Sequence, residues 1–307
     1  MSTNRLLSPS QLAWRRFKKN RLALYSACYL AALLVFILLY PFFSKVNPND
    51  LSDLLNSPPS SEHLFGTDDH GRDLFARTLF GTRISLLVGA VGALVSLFIG
   101  VIWGAAAGYL GGKVDSVMMR FVDVLYCLPS IVFVIALITT LEGLAQDYFS
   151  SFKLFQGDSA YLIRLLFLFT GLGAISWLTM ARIVRGQVLS LRQMPFVEAS
   201  KVLGAGPLRI LFRHIIPNVA GVAIVYLALT VPAIILNESF LSYLGIGVQP
   251  PQASLGSLIA GGAGQINPIR IYWWSILFPT SLLVTVLLSL NFLADGLRDA
   301  LDPRDAK

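Results

Sequence analysis

Charged and polar side chains are so sparse in this sequence that each group of them invites the question of what chemistry it does. The first group lies in Met194–Asn218, MPFVEASKVLGAGPLRILFRHIIPN, where Glu198 opens a short apolar stretch that Gly204-Ala205-Gly206-Pro207 closes. The second is Thr67-Asp68-Asp69-His70-Gly71-Arg72-Asp73. The third is Arg120 with Asp123, and the fourth Asn237-Glu238. None of them pairs a nucleophile with a base or two carboxylates for acid–base work, and no zinc-binding helix occurs. Gly108–Lys113 is one residue short of a phosphate-cradling loop and is followed by Val114 instead of a hydroxyl residue. Cys28 and Cys127 sit in apolar runs, where they act as small hydrophobes. His63, His70 and His214 are too scattered along the chain to suggest a metal site. The expectation is a protein that is not an enzyme. Its polar groups are expected to cap helices, pair charges or hold partners.

The elements that position these groups are set by composition. Of 307 residues, 55% are hydrophobic and 13% charged, against about 25% charged in a soluble domain. Too little polar surface remains to cover a globule in water, so the chain reads as an integral membrane protein. Uncharged stretches occur at Leu22–Phe43, Ile84–Gly112, Val124–Leu141, Leu165–Ala181, Asn218–Asn237 and Ile271–Ala294. Each approaches or exceeds the roughly 17–25 residues that cross a bilayer as a helix. Helix is expected because backbone groups must be satisfied within lipid, and the alternation of a β-barrel is absent. The first stretch is too long for a signal-peptide core and ends in Tyr40-Pro41-Phe42-Phe43 without a small-residue cleavage site, so it is expected to stay in the membrane.

The net charge of +7 is spread between apolar runs and not gathered in one stripe, which disfavours nucleic acid as a partner. Arg5, Arg15, Arg16, Lys18, Lys19 and Arg21 precede the first span. Arg182, Arg185, Arg192, Lys201, Arg209 and Arg213 lie between the fourth and fifth spans. Lys113, Arg120, Arg298, Arg304 and Lys307 fall on the same side, so both termini are expected in the cytoplasm. The long segments Ser44–Arg83 and Gly247–Arg270 then lie outside, and the second can form a short re-entrant or interfacial helix.

Local readings follow. Pro195 can open a helix running to about Leu203, with Phe196, Ala199, Val202 and Leu203 forming an apolar stripe. A second helix starts at Pro207 and aims Leu208, Leu211, Ile215 and Ile216 at the bilayer. Such a helix suits a partner's groove, and equally an interfacial helix without a partner. Thr67 or Asp68 can cap a helix starting near Gly71, which would lay Leu74, Phe75, Leu79 and Phe80 on the membrane surface. Arg120 and Asp123 are expected to pair on one helix face. Glu238 reads either as a cavity-facing carboxylate or as a solvated interfacial one. Pro129, Pro232 and Pro279 are expected to kink their spans, and the glycines of the second span suggest close helix packing.

The Met194–Asn218 stretch resembles the EAA loop of ABC-importer permeases: Glu198, Ala199, Gly204 and Pro217 fall in register, with Ser200, His214 and Ile216 as departures. Gly66-Thr67-Asp68-Asp69-His70-Gly71-Arg72-Asp73 is similar to the GTDxxGRD segment of C-type subunits in the peptide/nickel permease family. Gly108–Asp115, Phe240–Gly245, Gln249-Pro250-Pro251 and Asp295–Pro303 extend the likeness over nearly the whole chain. Leu255 departs from it, standing where that family usually has Trp.

The resemblance implies an all-α membrane protein with six transmembrane helices and the type I ABC importer permease (MetI-like) fold. Residues 1–21 would be a cytoplasmic segment, 22–43 a peripheral first span, and 44–83 a periplasmic loop with an interfacial helix. Residues 84–295 would be the permease core, with the EAA loop at about 191–217, and 296–307 a cytoplasmic tail. Glu198, Ala199, Ser200, Val202, Leu203 and Gly204 would couple the chain to the ATPase, with Glu198 for contact, Ala199 for close packing and Gly204 for the turn. Asn237 and Glu238 would line the pathway, and Asp68, Arg72 and Asp73 would face the binding protein. The implied partners are a homologous second permease, two cytoplasmic ATPases that bind the ATP and Mg, a periplasmic or lipid-anchored binding protein, and membrane lipid. This chain itself would carry no cofactor. Oligopeptides are the first substrate expectation; dipeptides, murein or antimicrobial peptides and nickel are alternatives. A gradient-driven transporter or channel is the rival of another class, but it calls for an internal repeat and midplane charges that the sequence lacks.

Overall fold

A computed structural model describes residues 9–44, 46–149, 158–266 and 270–301. Arg5, Arg304 and Lys307, counted above for orientation, lie outside them. The helices are α1 (Pro9–Lys19), α2 (Arg21–Phe43), α3 (Leu74–Leu110), α4 (Gly112–Tyr126), α5 (Ser130–Phe149), α6 (Asp158–Leu191), α7 (Pro195–Val202), α8 (Pro207–Ile210), α9 (Ile216–Tyr243), α10 (Leu255–Gly264) and α11 (Trp273–Leu301). A π-turn at Leu211–Ile215 joins α8 to α9. No strand forms among the described residues; the single antiparallel bridge is Thr67 with Asp73.

Five helical stretches are long and apolar enough to cross a membrane: α2, α3, Leu165–Leu191 of α6, Pro207–Tyr243 and α11. The sixth passage is the pair α4 and Ser130–Leu141, which meet at 93°. The kink expected at Pro129 within Val124–Leu141 is therefore a full break at Cys127–Pro129. Pro129 has no N–H to continue the ladder, and Cys127 N–H closes the preceding turn on Asp123 and Val124 carbonyls. Pro232 and Pro279 stay inside α9 and α11. The interfacial helix expected within 44–83 is absent from the described structure. Its residues instead begin α3, and Leu74 and Leu79 are buried, not laid on the membrane surface.

At the centre α3 packs on α6 and α9, while α2 packs on α11 with α1 beside it. Three glycines one turn apart make the α3–α6 contact possible. A Cβ at Gly100 would meet Met180, one at Gly104 would meet the Ala181 carbonyl and Val184, and one at Gly108 would meet Val188. Without an apolar driving force between helices in lipid, this backbone approach maximises van der Waals contact. Gly104→Leu is accordingly expected to lower stability by about 1–3 kcal/mol, read as a fall in Tm in detergent. Gly186→Ala, whose methyl meets nothing within 4 Å, should leave Tm unchanged or raise it, by up to about 1 kcal/mol of helix propensity.

Candidate functional site

The chain leaves α6 at Leu191, turns through Arg192–Met194 and enters α7 at Pro195, whose fixed φ suits the first helical position. Gly204 ends the short helix with φ +79, a left-handed conformation that side chains disfavour by about 1–2 kcal/mol. Its N–H bonds to the Lys201 carbonyl, and Ala205 N–H to the Ser200 carbonyl. Pro207 then opens α8, which runs through the π-turn into α9.

This hairpin is fastened on one side only. Val197 is fully buried in one cluster with Val184 and Val188 of α6, Ile210 of α8, Ile215 of the π-turn and Val219 of α9. The opposite face is bare: Val202 is 87% exposed and Leu203 86% exposed. Glu198, Ala199 and Gly204 are also exposed, and Ser200 is half-buried with its hydroxyl donating to the Phe196 carbonyl. The expected stripe of Phe196, Ala199, Val202 and Leu203 thus faces outward, and Val197, which the spacing argument passed over, makes the internal contact. Ile215 likewise packs inside and not toward lipid; Leu208 is exposed.

Arginines on α6 and in the turn after it brace the hairpin's base. Arg185 holds Asp115 of α4 through two bonds of 2.5 and 2.6 Å. Arg182 donates to Asp123 at 2.6 Å and lies over the Tyr126 ring at 3.9 Å. Arg192 donates to the Gly108 carbonyl at the end of α3. Asp123 therefore pairs with Arg182 across helices, not with Arg120 along its own helix. A bidentate guanidinium–carboxylate pair fixes orientation as well as distance, so α3, α4 and α6 form one block at this end.

At the other end, Glu238 overturns both readings offered for it. It is neither pathway-lining nor solvated but fully buried. Ser85 of α3 donates to it at 3.0 Å and Ser242 of α9 at 2.6 Å. The same hydroxyls accept backbone N–H groups from Leu255 and Val248, so one carboxyl ties α3, α9 and the entry to α10. Asn237 beside it is exposed. Sequence offered one clue: Ser242 stands one helical turn after Glu238.

The Asp68 segment is also internally bonded. Asp73, not Thr67 or Asp68, caps α3 by accepting from Ala76 N–H at 2.8 Å, and His63 bonds its other oxygen. Thr67 bridges Ser57 N–H and the Leu54 carbonyl. Asp68 accepts the His70 and Arg72 N–H groups and the Arg72 guanidinium, with Arg77 Nε at 3.4 Å. Asp68 and Asp73 are therefore buried and Arg72 half-buried; Asp69 and His70 are the exposed part of the segment. Asp68, Asp69 and His70 bring ligand-type atoms within 4.8 Å of one another despite their few histidines, but the Asp68 carboxylate is already neutralised by two guanidiniums. Arg77, the one charge in an otherwise apolar stretch of α3's first turns, was the signal for this network.

An apolar bundle with one broken passage and an exposed, one-sided hairpin defines a multi-pass membrane protein. The chain belongs to the family of binding-protein-dependent transport system inner membrane components, whose model matches residues 96–306. The N-terminal TM domain of oligopeptide transport permease C matches residues 8–59. Among similar proteins is the oligopeptide transport system permease protein OppC of Haemophilus influenzae, 46% identical over 96% of this chain and 88% of the relative. The OppC of Escherichia coli strain K12 is 45% identical over 96% of this chain and 91% of its own length. The dipeptide transport system permease protein DppC of Bacillus subtilis is 43% identical over 97% and 87%.

Glu238→Ala leaves Ser85 and Ser242 without an acceptor and opens a void, so it should destabilise the chain by about 2 kcal/mol or more. Glu238→Gln, which keeps the shape and one acceptor oxygen, should lower Tm in detergent by less than half as much.

Proposed function

We propose that the chain is the permease subunit of an ATP-driven importer of peptides, oligopeptides first, and that it forms half of the translocation pathway with a homologous second permease. Two cytoplasmic ATPases hydrolyse the ATP, one of them docking on α7, while this subunit has no catalytic role of its own. A substrate-binding protein delivers peptide at the opposite end. Both termini and α7 lie in the cytoplasm, an orientation supported by the Lys and Arg asymmetry of the segments between spans.

The observation that carries this reading is the bare apolar face of α7. Val202 and Leu203 stand almost fully in the open, a cost in free energy that a partner's groove removes. Val197 anchors the same helix to α6 and α9, so a push on α7 moves the spans as rigid elements, as two-state transport requires. Glu198 contacts the ATPase, and Gly204 sets the turn that makes α7 a lever. Substrate class rests on the relatives. Because the dipeptide relative is 43% identical against 46% and 45% for the oligopeptide ones, import of dipeptides is the second reading.

Leu203→Asp tests the docking. Leu203 makes little contact within the chain, so the variant should insert and fold normally. Its affinity for the ATPase subunits in nanodiscs should fall roughly tenfold or more, as for a truncated interface anchor. Unchanged affinity would remove α7 from the ATPase interface.

A further inference from the structure

Only the second half of the sixth passage is needed to cross the bilayer. α5 has 20 residues, which as a helix reach the about 30 Å of a hydrocarbon core. α4 meets Ser130–Leu141 of α5 at 93°, so with α5 crossing, α4 lies close to the membrane plane. The ion pairs agree with this. Asp115 and Asp123 stand about 12 Å apart along α4, yet their partners Arg185 and Arg182 are about 4.5 Å apart along α6. α4 therefore crosses α6 obliquely instead of running beside it.

Successive residues turn by about 100°, which divides α4 into three faces. Met119 and Val122 point inward and pack with Trp177, Leu178 and Ala181. Val114, Val117, Phe121, Val124 and, just past the helix end, Leu128 form an exposed apolar stripe, barest at Val117 (70% exposed). Lys113, Ser116, Arg120 and Asp123 make the third face, beside the stripe. Its charge is one-sided. Both carboxylates of α4 are answered, Asp115 by Arg185 and Asp123 by Arg182. Lys113 and Arg120 are exposed and form no ion pair among the described residues. Arg192 adds a third cation, since its guanidinium lies against Gly111 at the start of α4 and donates to the Gly108 carbonyl. A helix in the membrane plane, apolar toward the acyl chains and basic on its polar face, binds where headgroups are anionic. An apolar partner helix would cover the stripe but leave these cations unanswered; lipid phosphate answers them.

We propose that α4 is an interfacial anchor, its apolar stripe sunk in the acyl region of the cytoplasmic leaflet and Lys113 and Arg120 on the headgroups of anionic phospholipid. Assignment to that leaflet rests on the orientation given above; the anchoring itself does not. The anchor holds the Arg182 and Arg185 braces, and with them the end of α6, at a fixed depth next to α7.

The test places a bimane fluorophore on Val117→Cys in a Cys28→Ser, Cys127→Ser background, both native cysteines being free and exposed. The purified permease complex is reconstituted in nanodiscs containing acyl-brominated phosphatidylglycerol or, at equal mole fraction, acyl-brominated phosphatidylcholine. The anionic lipid should quench the probe with roughly fivefold or greater apparent affinity over the zwitterionic one, the factor that one cation carries at an anionic surface. Lys113→Gln with Arg120→Gln should abolish that preference while phosphatidylcholine still quenches. A probe on Ser116→Cys, on the polar face, should emit as in water and escape quenching. Equal quenching by both lipids without the charge substitutions would overturn headgroup recognition. An unquenched probe on Val117→Cys would overturn the anchor altogether: blue emission would give the face to a protein partner, and red emission to water. None of these readings depends on peptide import, so the anchor and the importer reading fail separately.

Discussion

The contact of α3 with α6 is the constraint on which the rest of the structure depends. Gly100, Gly104 and Gly108 let the two backbones approach until Met180, Ala181, Val184 and Val188 fill the space where side chains would stand. That approach brings Arg185 and Arg182 to the carboxylates of α4, and Arg192 to the Gly108 carbonyl near the end of α3. The end of α6 is thereby fixed, and α7 starts only a few residues later. Loosening the glycine seam would let the base of the hairpin move independently of the spans, and a hairpin that moves by itself transmits nothing.

The two ends of the bundle solve different problems with similar means. At the α7 end, ion pairs across α3, α4 and α6 make a rigid block but leave an apolar face uncovered. At the other end, Glu238 and its serines draw α3, α9 and α10 together, and the Asp68–Arg72–Arg77 network holds the segment before α3 in one shape. Burying a carboxyl that bridges three elements is tolerable because each oxygen is given a donor. A rigid block at each end with long helices between them is the arrangement in which a local push becomes a tilt of whole spans.

Much of the fold is legible in the sequence because lipid imposes simple rules. Apolar length marked the passages, Pro195 opened α7, and Gly204 closed it in the one backbone region where glycine is favoured. What hydropathy cannot reveal is direction. Cys127-Leu128-Pro129 is as apolar as its surroundings, so hydropathy shows nothing of the 93° break between α4 and α5; Pro129 announced a kink there but not its size. Tertiary partners were equally hidden: Asp123 had Arg120 within reach in sequence but meets Arg182 in space. For α7 the spacing of Phe196, Ala199, Val202 and Leu203 identified a stripe correctly as a stripe. Which side of a short helix faces the protein depends on what packs there, and that proved to be Val197. Glu238 was unreadable for a related reason, since Ser85, one of the two hydroxyls that donate to it, comes from a distant part of the chain.

The central claim is that α7, turned by Gly204, couples ATP hydrolysis to movement of the spans. It is tested most directly by peptide-stimulated ATP hydrolysis and peptide uptake in proteoliposomes holding the complete transporter and its binding protein. Gly204→Val and Gly204→Asn should be compared with the wild type. Space around Gly204 is open, so only backbone conformation distinguishes the two variants. Asn tolerates the left-handed region and a β-branched residue does not. The account predicts that Gly204→Asn retains stimulated hydrolysis and uptake, whereas Gly204→Val loses both while still inserting. Uptake in Gly204→Val equal to the wild type, or uptake in any of them without ATP hydrolysis, would contradict it.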